Sequence, residues 1–188
     1  MIDLVYEAAA LQDFLEANEW DFYFIGGVAV QVWGQPRMTQ DIDLIVFTNL
    51  KNESEYIAAL LSHYTAKFHD AGQFALTNRV LPMLTKGGIG IDVTLGGLSD
   101  MSDALARSSY QPFVGGYRLR ICSPDDLIIM KTIAARPRDW LDVESVIIRQ
   151  SALDWDYITV TLKSLDAYED TFVRRENLQS LKSRFYQK

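Results

Sequence analysis

Apolar residues return at helical spacing at the start of the chain. Leu4, Ala8, Leu11 and Leu15 predict an amphipathic helix over residues 4–18. Phe22-Tyr-Phe-Ile25 is continuously apolar and is stopped by Gly26-Gly27, which predicts a short buried strand. Val28–Trp33 predicts a brief helix starting at those glycines, and the β-branched run from Thr39 to Phe47 a second strand. A helix follows from Glu53 to His63, with Ile57, Leu60 and Leu61 turned inward. Residues 66–95 show no helical period. Leu81–Leu84 and Ile89–Leu95 predict two strands of the same sheet, with Gly87-Gly88 as their hairpin turn.

Beyond this point the pattern predicts a short helix from Ser99 to Arg107 and a strand from Tyr117 to Ile121. Ser123-Pro-Asp-Asp126 carries the signals of a helix start: a hydroxyl cap, proline at the first position and acids in the first turn. From there the chain predicts helices to its end. One runs over 124–134, the next starts near Arg138 after Pro137, and a third is capped by Asp154 with Ile158, Leu162 and Leu165 on its buried face. The expected architecture is α+β: a small mixed sheet flanked by helices over residues 1–121, and a helical part over 122–188 packed on it.

At 188 residues and 48% hydrophobic, the chain can bury a core without disulfides or structural metal. Its single cysteine, Cys122, excludes an internal disulfide framework and a multi-cysteine zinc site. No Lys or Arg precedes Arg37 in this sequence, so no signal or transit peptide is expected here. The uncharged run Phe22–Pro36 is 15 residues long and is broken by Gly and Pro, too short to span a bilayer. A cytoplasmic protein with no membrane contact is expected. The net charge of −7 disfavours broad coating of nucleic acid, which needs clustered cations.

The most informative residues are Gly26-Gly27 and, 13 residues on, Asp41-Ile-Asp43. Side chains alternate along a strand, so Asp41 and Asp43 share one face while Ile42 and Leu44 enter the core. Two carboxylates that close are tolerated if they are exposed, share a proton or bind a cation, and Mg²⁺ fits such a pair together with substrate phosphates. Glycines between a strand and a helix let backbone N–H groups approach a phosphate. Taken singly, the dyad reads as a solvated strand face and the glycines as a turn. Taken together, they describe a site for phosphoryl or nucleotidyl transfer.

These residues resemble the signature of the polymerase-β-type nucleotidyltransferase superfamily, Gly-Gly followed by Asp-h-Asp-h, where h is apolar. The gap here is at the long end of that family's spacing. Arg37-x-Thr39 and the block from Ser123 through Lys131 and Arg136 to Asp139 and Asp142 further resemble stand-alone bacterial nucleotidyltransferases related to the AbiEii/AbiGii abortive-infection toxins. The resemblance covers residues 20–150. It implies a third carboxylate from a later strand, which Asp92 in Gly-Ile-Asp-Val-Thr94 matches.

The resemblance also implies Asp41, Asp43 and Asp92 as catalytic metal ligands for Mg²⁺ or Mn²⁺. It implies nucleoside triphosphate (NTP) contacts from Gly26, Gly27, Arg37, Thr39, Lys131 and Arg136. For the last four, plainer readings stay open. Lys131 shares a helix face with Leu127 and Ile128 and can be a lysine whose stem covers the core. Arg136, Asp139 and Asp142 can form a structural ion-pair cluster, and Arg37 and Thr39 can be loop residues. Residues 170–188 carry three more positive than negative charges, as a solvated helix or an RNA contact.

The expected activity is transfer of a nucleoside monophosphate from an NTP to a hydroxyl of RNA, above all a tRNA end, or of protein. The setting is toxin–antitoxin or phage defence, with an antitoxin as partner. The alternatives are an aminoglycoside-type antibiotic as acceptor, which an acidic protein would attract, and a non-catalytic nucleotide- or partner-binding module.

Overall fold

The computed structural model describes residues 2–48, 52–96, 101–165 and 171–186. The chain divides into two compact units, residues 1–28 with 38–122, and residues 29–37 with 123–188.

Among the described residues, the first unit is built on a seven-stranded sheet. It contains β1 (Phe22–Phe24), β2 (Asp41–Phe47), β3 (Thr65–Ala66), β4 (Val80–Leu84), β5 (Gly90–Gly96), β6 (Ser109–Pro112) and β7 (Arg118–Ile121), in the order β3-β4-β5-β2-β1-β7-β6. β2 pairs in parallel with β5 and antiparallel with β1. β1 pairs in parallel with β7, and β4 is antiparallel to β5. The mixed sheet flanked by helices that the apolar pattern predicts is therefore present. Its two faces differ. Ile42, Leu44, Val46, Phe24, Ile91, Val93, Leu95, Leu81 and Met83 are all buried and form the core, whereas Asp41, Asp43, Asp92 and Thr94 are half-buried on the other face.

α1 (Ile2–Ala17) buries the four apolar positions that predicted it. It also buries Gln12, whose amide donates to Arg118 O (3.0 Å) and accepts from Arg120 N (2.9 Å), stitching α1 to β7. α3 (Glu53–His63) buries Ile57 and Leu60, while Leu61 is only half-buried. α4 (Ala71–Asn78) lies in a region where no helix was expected. Its buried residues are the small Ala71 and Ala75, and its large Phe74 and Leu76 are exposed, which inverts the usual amphipathic signature. The edge strand β6 was also unexpected, being polar and only partly covered. Of the helix expected from Ser99, α5 (Met101–Arg107) is described, and residues 99–100 lie outside the described residues.

α2 (Gly26–Trp33) begins at the glycine pair, and the boundary between the units falls within it. In the second unit, α6 (Pro124–Ala134) is capped as predicted, with Ser123 Oγ accepting from Asp126 N at 3.0 Å. α7 (Pro137–Arg149), α8 (Trp155–Ser164) and α9 (Phe172–Phe185) follow. Asp154 caps α8 through Tyr157 N, with Ile158 and Leu162 buried and Leu165 half-buried. Of the charges counted in the basic tail, Asp170 and Lys188 lie outside the described residues. Among the described residues no helix is long and apolar enough to cross a membrane.

An ion-pair cluster ties this unit together. Arg37 grips Asp142 with a fork, Nε to Oδ1 and Nη2 to Oδ2, both 2.7 Å. Lys131 Nζ lies 2.7 Å from Asp142 Oδ2 and 2.7 Å from Asp139 Oδ1. Asp142 is 4% exposed and Lys131 10%. Burial alone would push the Asp142 carboxyl up, but the Arg37 fork and Lys131 outweigh it and hold the carboxyl below its ordinary range. A depressed carboxylate contributes stability above its unfolded pKa of ~3.9, and that contribution is lost as pH falls through the lower folded value. Asp142→Asn is expected to destabilise the fold by about 3 kcal/mol at pH 7, because two cations lose a buried partner. Urea denaturation at pH 7 and pH 3 should show the wild-type advantage shrinking at the acid end.

Candidate active site

The site face is set by strand register. β2 and β5 run in parallel with Asp43 opposite Asp92 and Asp41 opposite Gly90, so three carboxylates share one face of adjacent strands. Ile42, Leu44, Ile91 and Val93 anchor the opposite face in the core, and a one-residue slip of either strand would exchange carboxylates for core residues.

On its other side β2 meets β1, and Ile25 N donates to Asp43 O (2.9 Å) just where the chain turns into α2. Gly26 makes that turn with φ +57°, a left-handed conformation that suits glycine. A Cβ at position 26 would strike the Asp43 carboxylate, standing 2.7 Å from its Cγ and 2.8 Å from its Cβ. A Cβ on Gly27 would stand 2.6 Å from Thr39 Cβ. The glycine pair is thus packed directly against the dyad strand and the residue leading into it. Thr39 Oγ1 donates to Asp41 O at 3.3 Å.

The two carboxylates of β2 lean apart. Asp43 Oδ2 occupies the side-chain place of Gly26 on the β1 side, and Asp41 Oδ1 occupies that of Gly90 on the β5 side. Like charges on one strand face favour this separation. Among the described residues, no three His, Cys, Asp or Glu side chains stand close enough together to hold a metal ion. The chemistry of the donors nonetheless suits a hard divalent cation: they are half-buried carboxylate oxygens from two hydrogen-bonded strands.

The sequence-predicted residues therefore fall into two groups. Gly26, Gly27, Thr39, Asp41, Asp43 and Asp92 come together within the first unit. Arg37, Lys131 and Arg136 belong to the second. Arg37 and Lys131 pair there with Asp139 and Asp142, the carboxylates that sequence reading grouped with Arg136. Arg136 is exposed at the start of α7, where its backbone N–H donates to Asp139 Oδ2 at 3.2 Å. The residue that sequence reading missed is Gly90. Its signal is a glycine at the register position beside Asp41, which becomes visible once β2 and β5 are aligned on Asp43 and Asp92.

Comparison with known proteins is consistent with this geometry. Residues 9–185 match the family described as "Nucleotidyl transferase AbiEii toxin, Type IV TA system". Among solved structures, the chain resembles an antigenic nucleotidyltransferase-like protein from Paracoccidioides brasiliensis, at 16% identity over 98% of this chain and 97% of that one, with a TM-score of 0.55. It also resembles the antibiotic-resistance factor ANT(2'')-Ia, at 17% identity over 97% and 89% of the two chains, with a TM-score of 0.51. The lincosamide antibiotic adenylyltransferase LnuA is similar at 14% identity over 73% and 92%, with a TM-score of 0.51. These likenesses concern the fold. No curated protein matches the chain. Since the family match runs through both units and nearly the whole length, the chain belongs to the AbiEii family and is a nucleotidyltransferase.

Proposed function

We propose that the protein transfers a nucleoside monophosphate from an NTP to an acceptor hydroxyl, using the carboxylate face of β2 and β5. The observation that carries this reading is the register that sets Asp43 beside Asp92, with Gly26 packed on Asp43. In the reaction the acceptor oxygen bonds to the α-phosphorus, the bond from that phosphorus to the bridging oxygen of pyrophosphate breaks, and pyrophosphate leaves. Asp92 receives the proton of the attacking hydroxyl. Asp41 and Asp43 would hold Mg²⁺ or Mn²⁺, with Asp92 completing the set; when bound, the cation supplies neutralisation of the triphosphate oxygens. Backbone N–H groups at the start of α2 would take the phosphates, with Asp43 packed on Gly26 and Thr39 on Gly27 beside them.

Arg37, Lys131 and Arg136 are proposed phosphate contacts by resemblance. For Arg37 and Lys131 this means sharing their charge with the carboxylates that they already hold.

The acceptor we favour is RNA, in particular a tRNA end, or a protein hydroxyl, because the family is one of toxins in toxin–antitoxin systems; an antitoxin is then the partner. A second reading, a cationic antibiotic acceptor, is favoured by the net charge of −7. The intact Asp41, Asp43 and Asp92 argue against a module without turnover.

Incubation with each α-labelled NTP, Mg²⁺ and total tRNA, lysate protein or an aminoglycoside should place label in RNA or protein. Label in the drug alone selects the second reading, and an Asp41→Ala/Asp43→Ala variant that labels as well as wild type overturns the mechanism. Asp92→Asn is expected to lower the transfer rate by about 10²–10⁴-fold, as loss of a general base does, while circular dichroism stays native. Gly26→Ala should lose both activity and about 1–2 kcal/mol of stability, because φ is positive there and the new methyl group meets Asp43. Thermal melts beside initial rates check this.

A further inference from the structure

We propose that Gly90 is a positioning residue for Asp41: the space left by its missing side chain is the seat of the Asp41 carboxylate. This rests on the reading of Asp41 as a cation ligand.

Gly90 is the parallel register partner of Asp41, and it is buried at the start of β5, two residues before Asp92. A Cβ built at position 90 would have as its three nearest neighbours Oδ1, Cγ and Cβ of Asp41, with Cγ at 3.0 Å and Cβ at 3.5 Å. The carboxyl group therefore lies sideways across the sheet, over the backbone of the neighbouring strand. Side chains usually stand nearly perpendicular to a sheet and beside those of the next strand, and here that room is open because one of the two is missing.

Two consequences follow. The Asp41 carboxylate is brought over β5, the strand that carries Asp92, while Asp43 is drawn to the opposite side over Gly26. The repulsion between neighbouring acids on β2 is thereby relieved without burying either in the core.

A purely backbone reason for this glycine is weak. Its φ lies outside the left-handed region, so the backbone conformation itself accepts alanine, and the obstacle is the Asp41 carboxylate alone. Glycine inside a strand is also entropically unfavourable compared with alanine. A residue present only for the fold would be improved by the substitution. A residue that seats Asp41 would not be.

The test is a double-mutant cycle on the full chain with Gly90→Ala, Asp41→Ala and both together. Mn²⁺ affinity is read by electron paramagnetic resonance, and the thermal midpoint is read without metal. Gly90→Ala is expected to weaken Mn²⁺ binding about tenfold, the scale for groups that orient a ligand, and to gain no thermal stability. In the Asp41→Ala background the same change should leave Mn²⁺ binding where Asp41→Ala put it and raise the midpoint by ~1–4 °C, since nothing then occupies the seat. Wild-type Mn²⁺ affinity in Gly90→Ala, or the same effect in both backgrounds, overturns the proposal. If Asp41→Ala itself leaves Mn²⁺ affinity unchanged, the cation reading of Asp41 fails, and the thermal cycle alone decides. Coupling between positions 41 and 90 then upholds the seat, and additivity overturns it.

Discussion

The parallel pairing of β2 with β5 is the constraint on which the site depends. Around the carboxylates, alternation gives each strand one face of Ile, Leu and Val that is buried almost completely and one on which Asp41, Asp43, Asp92 and Thr94 are half-buried. Because the core residues and the carboxylates are interleaved one by one, burial of the first fixes the register of the second. Asp43 stands opposite Asp92 in the register because Ile42, Leu44, Ile91 and Val93 cannot be moved to the open face without emptying the core. The hydrophobic effect positions the charges, and the charges add little to the fold themselves.

What the charges require is room. Three acids on neighbouring positions of one sheet face repel one another, and the structure answers with glycine on either side of β2. Gly26 takes Asp43 on the β1 side, and Gly90 takes Asp41 on the β5 side. The second unit treats charge differently. Arg37, Lys131, Asp139 and Asp142 form a largely buried set in which each carboxylate finds a cation and the Asp142 carboxyl is held below its ordinary range. The first unit keeps Asp41, Asp43 and Asp92 on a half-open face. The other spends its acids on internal cohesion.

Much of this was legible in the amino-acid sequence because it depends on local periodicity. The apolar stripe of α1, the Ser-Pro-Asp-Asp cap of α6 and the alternation around Asp41 and Asp43 each stand in a few consecutive residues. α4 was hidden because it buries alanines and exposes Phe74 and Leu76, so hydrophobicity pointed outward. β6 was hidden because a polar edge strand has no buried face to mark it. The burial of Gln12 beside the apolar stripe of α1 has its reason in two backbone partners on β7, far away in the chain. Lys131 shows the limit of spacing arguments. Its position on an apolar helix face was readable, but its partners lie 8 and 11 residues away on the next helix, which only the fold reveals. Gly90 is of the same kind, since its meaning comes from the strand beside it.

Binding of the cation of an NTP complex by the carboxylate face of β2 and β5 can be seen in a crystal grown with Mn²⁺ and a non-hydrolysable NTP. Anomalous scattering locates the manganese independently of any assumption about activity. A peak about 2.0–2.2 Å from carboxylate oxygens of Asp41 and Asp43, with the triphosphate against the start of α2, is the predicted result. An ordered nucleotide whose manganese lies away from Asp41, Asp43 and Asp92 would contradict the account.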